Sequence, residues 1–211
     1  MRQLGLFSHK VDLARRFLLA TIFGCASTTF FFSIAQAQLS AHTVGRSLDQ
    51  LVDESDLVVR GSVVSSSVEP HPVLRNLMTV LVTMTVSDTY KGRSQKTIVF
   101  RQYIGNANGH SLHSEYLKGQ ELLLLLRPVS EYGLTSPAGL EQGRFEVHFQ
   151  KGKKVAVNGR GNVGLFDQVF ERTNRKVQLS PRAATLVRKR IAGPVAIEDL
   201  EDLIRTLARA R

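Results

Sequence analysis

Hydrophobic residues recur with three different spacings along this chain, and each spacing predicts a different kind of element. An almost continuous apolar run, Phe17 to Ala35, follows Arg15 and Arg16 and ends in Ala35-Gln36-Ala37. A positive n-region, an apolar h-region and an A-x-A c-region are the parts of a secretory signal, so residues 1–37 are expected to be cleaved between Ala37 and Gln38. About 20 apolar residues could instead span a bilayer as a retained anchor. Thr21, Ser27, Thr28, Thr29 and Ser33 dilute the run, however, and no charged stop-transfer cluster follows it. Ile22-Phe23-Gly24 before Cys25 resembles a lipobox with a bulky Phe at a small-residue position, and Arg15-Arg16-Phe17-Leu18-Leu19 resembles a twin-arginine core. The ordinary signal explains all of these residues.

Beyond Gln38 the period shortens. Ser47 followed by Leu48, Leu51 and Val52 predicts an N-cap and the inner face of a short helix, with Asp49, Asp53 and Glu54 on its polar side. From Leu57 to Val64, and again from Leu77 to Val86, β-branched residues predict strands. Thr79, Thr83 and Thr85 mark a wetter face on the second. Lys91-Gly92 turns into a strand over 97–103, and 105–119 reads as a long glycine-bearing loop. Glu121 to Leu126, stopped by Pro128, predicts a strand buried on both faces. Arg144 to Phe149 alternates strictly, placing Phe145, Val147 and Phe149 on the buried side, and Lys153–Val157 leads to a turn at Asn158-Gly159. Last comes a period near 3.6: Ile197, Leu200, Leu203, Ile204 and Leu207 predict an amphipathic helix within 195–209. The expected fold is mainly β, a small antiparallel barrel or strongly curled sheet of OB-like type, with a short N-terminal helix and a C-terminal amphipathic helix. Residues 38–211 are expected to form one domain.

Charge changes the picture through its distribution. The chain carries 28 Lys+Arg against 18 Asp+Glu. Residues 38–143 and 191–211 are each close to neutral, while 144–190 hold twelve basic and three acidic side chains. Such a block can hold an anionic lipid headgroup, an acidic polysaccharide or a nucleic acid, or serve as a solvated face. Cys25 is the only cysteine and lies in the signal-like segment, so the chain after Ala37 has no disulfide, thiol nucleophile or thiolate ligand.

The order of several segments resembles a family of uncharacterised exported bacterial proteins. The matching pieces are Ser47-Leu48-Asp49-Gln50-Leu51-Val52, Ser55 to Val63, Tyr90-Lys91-Gly92, Leu117 to Leu126 and Gly139 to Val147, about 100 residues in all. Where that family shows paired glycines and a Gly-Glu step, this chain has Gly105-Asn106-Ala107-Asn108-Gly109 and inserts Gln120 before Glu121. The resemblance implies export and fold; it implies no activity.

Candidate chemistry is sparse. His110, His113 and Glu115 offer two imidazoles and a carboxylate to zinc if the loop bends to converge them, with His148 the nearest further ligand. Gly159-Arg160-Gly161-Asn162-Val163-Gly164 matches G-x-G-x-x-G, but no βαβ unit surrounds it, and Arg182, Ala183 and Ala184 stand where a ribose-binding acid belongs. Ser65-Ser66-Ser67 lacks a G-x-S-x-G elbow. Glu141 and Glu146 are the strand carboxylates to weigh for glycoside hydrolysis. Phe166, Phe170 and Tyr103 are the rings available for base stacking, with Phe166 and Phe170 read as a buried i, i+4 helix pair, and no nucleic-acid partner is expected.

The expectation is therefore a non-enzymatic exported β module, periplasmic or extracellular, without a cofactor and without a transmembrane segment after Ala37. It would bind an anionic envelope component or another protein through Lys151, Lys153, Lys154, Arg160, Arg172, Arg175 and Lys176. A metal-assisted hydrolase built on the 105–119 loop, and a protein-interaction or inhibitor module, are the alternatives.

Overall fold

The two-residue alternation builds one antiparallel sheet. The computed structural model describes residues 44–105, 116–173, 178–190 and 192–209; the signal-like segment lies outside them. The strands are β1 (Leu57–Pro70), β2 (Met78–Lys91), β3 (Thr97–Tyr103), β4 (Glu121–Leu126), β5 (Arg144–Gln150), β6 (Lys153–Asn158) and β7 (Val195–Ala196). They are hydrogen-bonded in the order β3-β2-β1-β4-β5-β6-β7, every pair antiparallel. The helices are α1 (Leu48–Glu54), α2 (Val169–Thr173), α3 (Pro181–Lys189) and α4 (Ile197–Arg209), with a 3-10 turn at Leu140–Gln142.

The leucine run of β4 shows why this is a sheet buried on both sides. Leu122, Leu124 and Leu126 join Val59, Val63, Val80, Val82, Met84, Ile98 and Phe100 in one core. Leu123 and Leu125 point the other way, into a core shared with Leu48, Leu51, Val52 and the stripe Ile197, Leu200, Leu203, Ile204 and Leu207. Successive side chains of a strand alternate faces, so five adjacent leucines can serve two cores at once, which a helix would not do. The α4 stripe is buried throughout, as its spacing predicts. At α1, the Gln50 side chain accepts the Ser47 N–H at 3.1 Å, one arm of a capping box. At its other end the Lys91 ammonium donates to Val52 O (2.7 Å) and Ser55 O (2.5 Å).

Gly61 marks a break in the β1–β2 register. A Cβ there would lie 2.0 Å from the Thr85 carbonyl oxygen, so only glycine admits the close approach. The sheet also coils. Tyr116 lies across one face, its ring 5.5 Å from Phe100 of β3 and 5.7 Å from the Arg144 guanidinium of β5. Four strand spacings would hold β3 and β5 about 19 Å apart in a flat sheet.

Several expectations are corrected here. The sheet is not closed into a barrel: β3 and β7 are its two edges. Residues beyond β6 that could have supplied a closing strand form turns and the helices α2 and α3 instead. The Phe166/Phe170 spacing signals a helix here, but α2 begins only at Val169, and α3, with Ala183, Leu186 and Val187 at helical spacing, is not among the expected elements. Strands β1 and β2 are 14 residues each, longer than their apolar runs, since serines and threonines continue the hairpin past the core. Phe166 is buried, but in a stretch of turns before α2. Phe149, expected inside, is 71% exposed.

Candidate functional site

The exposure of Phe149 follows from strand length. β4 pairs with β5 only from Leu122↔Glu146 to Leu124↔Arg144, whereas β5 and β6 stay paired out to Gln150↔Lys153. The end of the β5–β6 hairpin therefore overhangs its neighbour, and the third apolar residue of the alternating run has no strand to pack against. Lys151 (φ 50°) and Gly152 (φ 76°) make the two-residue connection, both in the left-handed region that a tight hairpin turn requires.

Across from this end, Ser180 caps α3 by accepting the Ala183 N–H at 3.1 Å, and Pro181 occupies the first turn. That cap sets Arg182 facing the hairpin. Phe149, Gly152, Lys153, Lys154, Arg182, Ala196, Glu198 and Asp199 line a groove of about 640 Å³. Two adjoining depressions of about 540 and 530 Å³ also include Arg182. The volume is that of a small-ligand site, and its lining is mixed: one aromatic ring, three cations and two carboxylates.

Lys154 is fixed within it. Its ammonium lies 5.6 Å from the Phe149 ring centroid and donates to both Glu121 oxygens, at 2.8 and 3.1 Å. Glu121 lies 3.7 Å from Arg60 Nε, and Arg60 donates to Glu201 Oε1 (2.6 Å) and Asp88 Oδ2 (2.8 Å). Burial works against the Arg60 charge, but Glu201, Asp88 and Glu121 outweigh it and raise its affinity for the proton. The same environment, burial first and Glu201 second, pushes the Tyr90 phenol far above its ordinary range. A charged chain thus runs from α4 through β1 and β4 to the groove.

The structure divides the basic block. Lys151 and Lys153 are exposed at the hairpin end, with Lys154 beside them. Arg160 sits at the far end of β6, about 20 Å away along the strand. Arg172 belongs to another contact: Nε and Nη2 reach Asp49 at 2.6 and 2.9 Å, and Nη2 also donates to Ser47 Oγ, tying α2 to α1. Arg175 and Lys176 lie outside the described residues, as do His110, His113 and Glu115. Among the described residues no three His, Cys, Asp or Glu side chains are grouped to hold a metal. His148 is exposed on β5, Glu141 packs on Gly159, and Glu146 is exposed 3.9 Å from Arg144.

The glycine motif folds as a knot of turns. Asn158 Oδ1 accepts from Arg160 N (3.1 Å) and Asn162 N (2.8 Å), and Asn162 Oδ1 accepts from Asn158 N (3.0 Å). Asn162 Nδ2 donates to Ala156 O and Gly193 O, and Asn158 Nδ2 donates to Gln142 O. Amide side chains thus take the loop's N–H groups, and α2 begins only at Val169. A dinucleotide cradle needs those groups outward and a helix at once. Arg182, Glu198 and Asp199 are groove residues that sequence reasoning passed over, and Phe149 was expected inside; the Ser180-Pro181 helix start was the available signal for Arg182.

Compared with protein-family models, curated proteins and solved structures, the chain matches none. No described helix is long and apolar enough to cross a membrane.

Proposed function

We propose that this chain is an exported, non-enzymatic module that binds an anionic component of the cell envelope through the end of the β5–β6 hairpin and Arg182. The observation that carries the reading is that Lys153 and Lys154 of the hairpin and Arg182 of α3 line one groove, with Lys151 exposed in the adjoining turn. Export rests on the signal-like segment. Relative to the seven basic residues expected from sequence, the binding set contracts to Lys151, Lys153 and Lys154 and gains Arg182.

Binding of the purified protein to polygalacturonate and to phosphatidylglycerol vesicles, at low and at physiological salt, tests it. At least one polyanion is expected to bind, with affinity falling steeply as salt screens the cations. The Lys153→Glu/Arg182→Glu variant is expected to lose that binding while keeping its thermal midpoint. Binding insensitive to salt and to the double charge reversal, or no binding, overturns the reading.

A further inference from the structure

We infer that the groove beside Phe149 takes a carboxylated oligosaccharide, a uronate-type sugar chain stacked on the Phe149 ring; this rests on the anion-binding reading above. Three features choose a saccharide over a bare anionic surface. The site is a shallow, open groove, along which a single chain can lie. Its aromatic wall is presented for contact: Phe149 is 71% exposed, and the Lys154–Glu121 pair holds a cation against the ring. An apolar ring on a hydrated surface suits the C–H face of a pyranose, whose hydroxyls remain free at the rim.

The third feature is the pair Glu198 and Asp199 at the start of α4. Toward a sugar they are hydroxyl acceptors, the complement of the donors Lys153 and Arg182. They also offset the charge of Lys153 and Arg182, Lys154 being paired with Glu121, which disfavours a densely sulfated chain. Arg182 offers the planar fork that matches a carboxylate.

The test is titration calorimetry of the purified protein with tetragalacturonate, its fully methyl-esterified neutral counterpart, and phosphatidylglycerol vesicles. Saturable binding of tetragalacturonate is expected, with the neutral ester at least about tenfold weaker. Phe149→Ala is expected to weaken the acid form about tenfold without moving the thermal midpoint, because the ring is not part of the core. Tetragalacturonate binding unchanged by Phe149→Ala would overturn the stacking inference. Vesicle binding sensitive to Lys153→Glu/Arg182→Glu, with no tetragalacturonate binding, overturns the saccharide inference and leaves the anion-binding reading standing. Binding of neither probe overturns both.

Discussion

Glu201→Gln removes one negative charge from the network that docks α4 onto the sheet. The Glu201 side chain is 8% exposed and the Arg60 side chain 20%, with 2.6 Å between them. Breaking a buried ion pair from one side costs about 3–5 kcal/mol when the other charge is left alone. Arg60 is not left alone: Asp88 remains at 2.8 Å and Glu121 at 3.7 Å. Glutamine also keeps an acceptor oxygen in place. The expected loss is therefore about 2 kcal/mol, read as a lower urea midpoint at unchanged m-value. The cycle with Arg60→Met supplies the stronger check. The double variant Arg60→Met/Glu201→Gln should lose less than the sum of the two single variants, because the Arg60–Glu201 interaction can be lost only once. A Glu201→Gln change under about 0.5 kcal/mol, or effects that add in Arg60→Met/Glu201→Gln, would refute the claim that this network is one coupled unit.

Three further outcomes follow from local geometry. Leu123→Ala and Leu124→Ala should each cost about 2–5 kcal/mol, since both are fully buried although they face opposite cores; equilibrium unfolding in which either is neutral contradicts the two-core account. Gly61→Ala should destabilise by more than about 2 kcal/mol, because its Cβ would meet the Thr85 carbonyl, and a wild-type thermal midpoint would show that the close approach relaxes freely. Burial alone would raise the Asp49 carboxyl, but hydrogen bonds from Arg172 and Ser47 and the Arg172 charge hold it below its ordinary 3.8. A lowered folded-state value gives stability that is complete above 3.8 and is lost as pH falls through the folded value, so Asp49→Asn should flatten the acid limb of a stability–pH profile. An unchanged acid limb would show that the Arg172 pairing contributes nothing.

The elements legible in the sequence were those whose burial repeats with a fixed period. The α4 stripe, the β4 leucines and the Ser47 start of α1 were readable because each residue's environment is set by its own element, whereas the wetter face expected at Thr79, Thr83 and Thr85 fails at Thr79, which is fully buried and bonded to Glu69 O and Arg101. What failed depends on neighbours. Phe149 obeys the same alternation as Phe145 and Val147, yet β4 ends too soon to cover it, and no local pattern encodes a partner strand's length. Glu201 stands in sequence as one of four acids, with Glu198, Asp199 and Asp202, early in α4, where the helix dipole alone accounts for them, but it lies beside the apolar stripe and meets Arg60, 141 residues away. The basic block behaved likewise: a local count assigned one face to residues that the fold divides between the hairpin end, the glycine turns and the α1–α2 contact. Asn158 and Asn162 make the glycine motif a closed turn, and that follows from amide hydrogen bonds that a spacing of glycines does not show.

The most direct measurement of the central claim is residue-resolved chemical-shift mapping of the amide resonances during titration with tetragalacturonate. The account predicts that the shifts concentrate at His148–Lys154, Arg182 and Ala196–Asp199, and that they fade as salt is raised. Shifts centred on the β2–β3 side of the sheet, around Val73, Tyr103 and Tyr132, or no shifts at all, would contradict it.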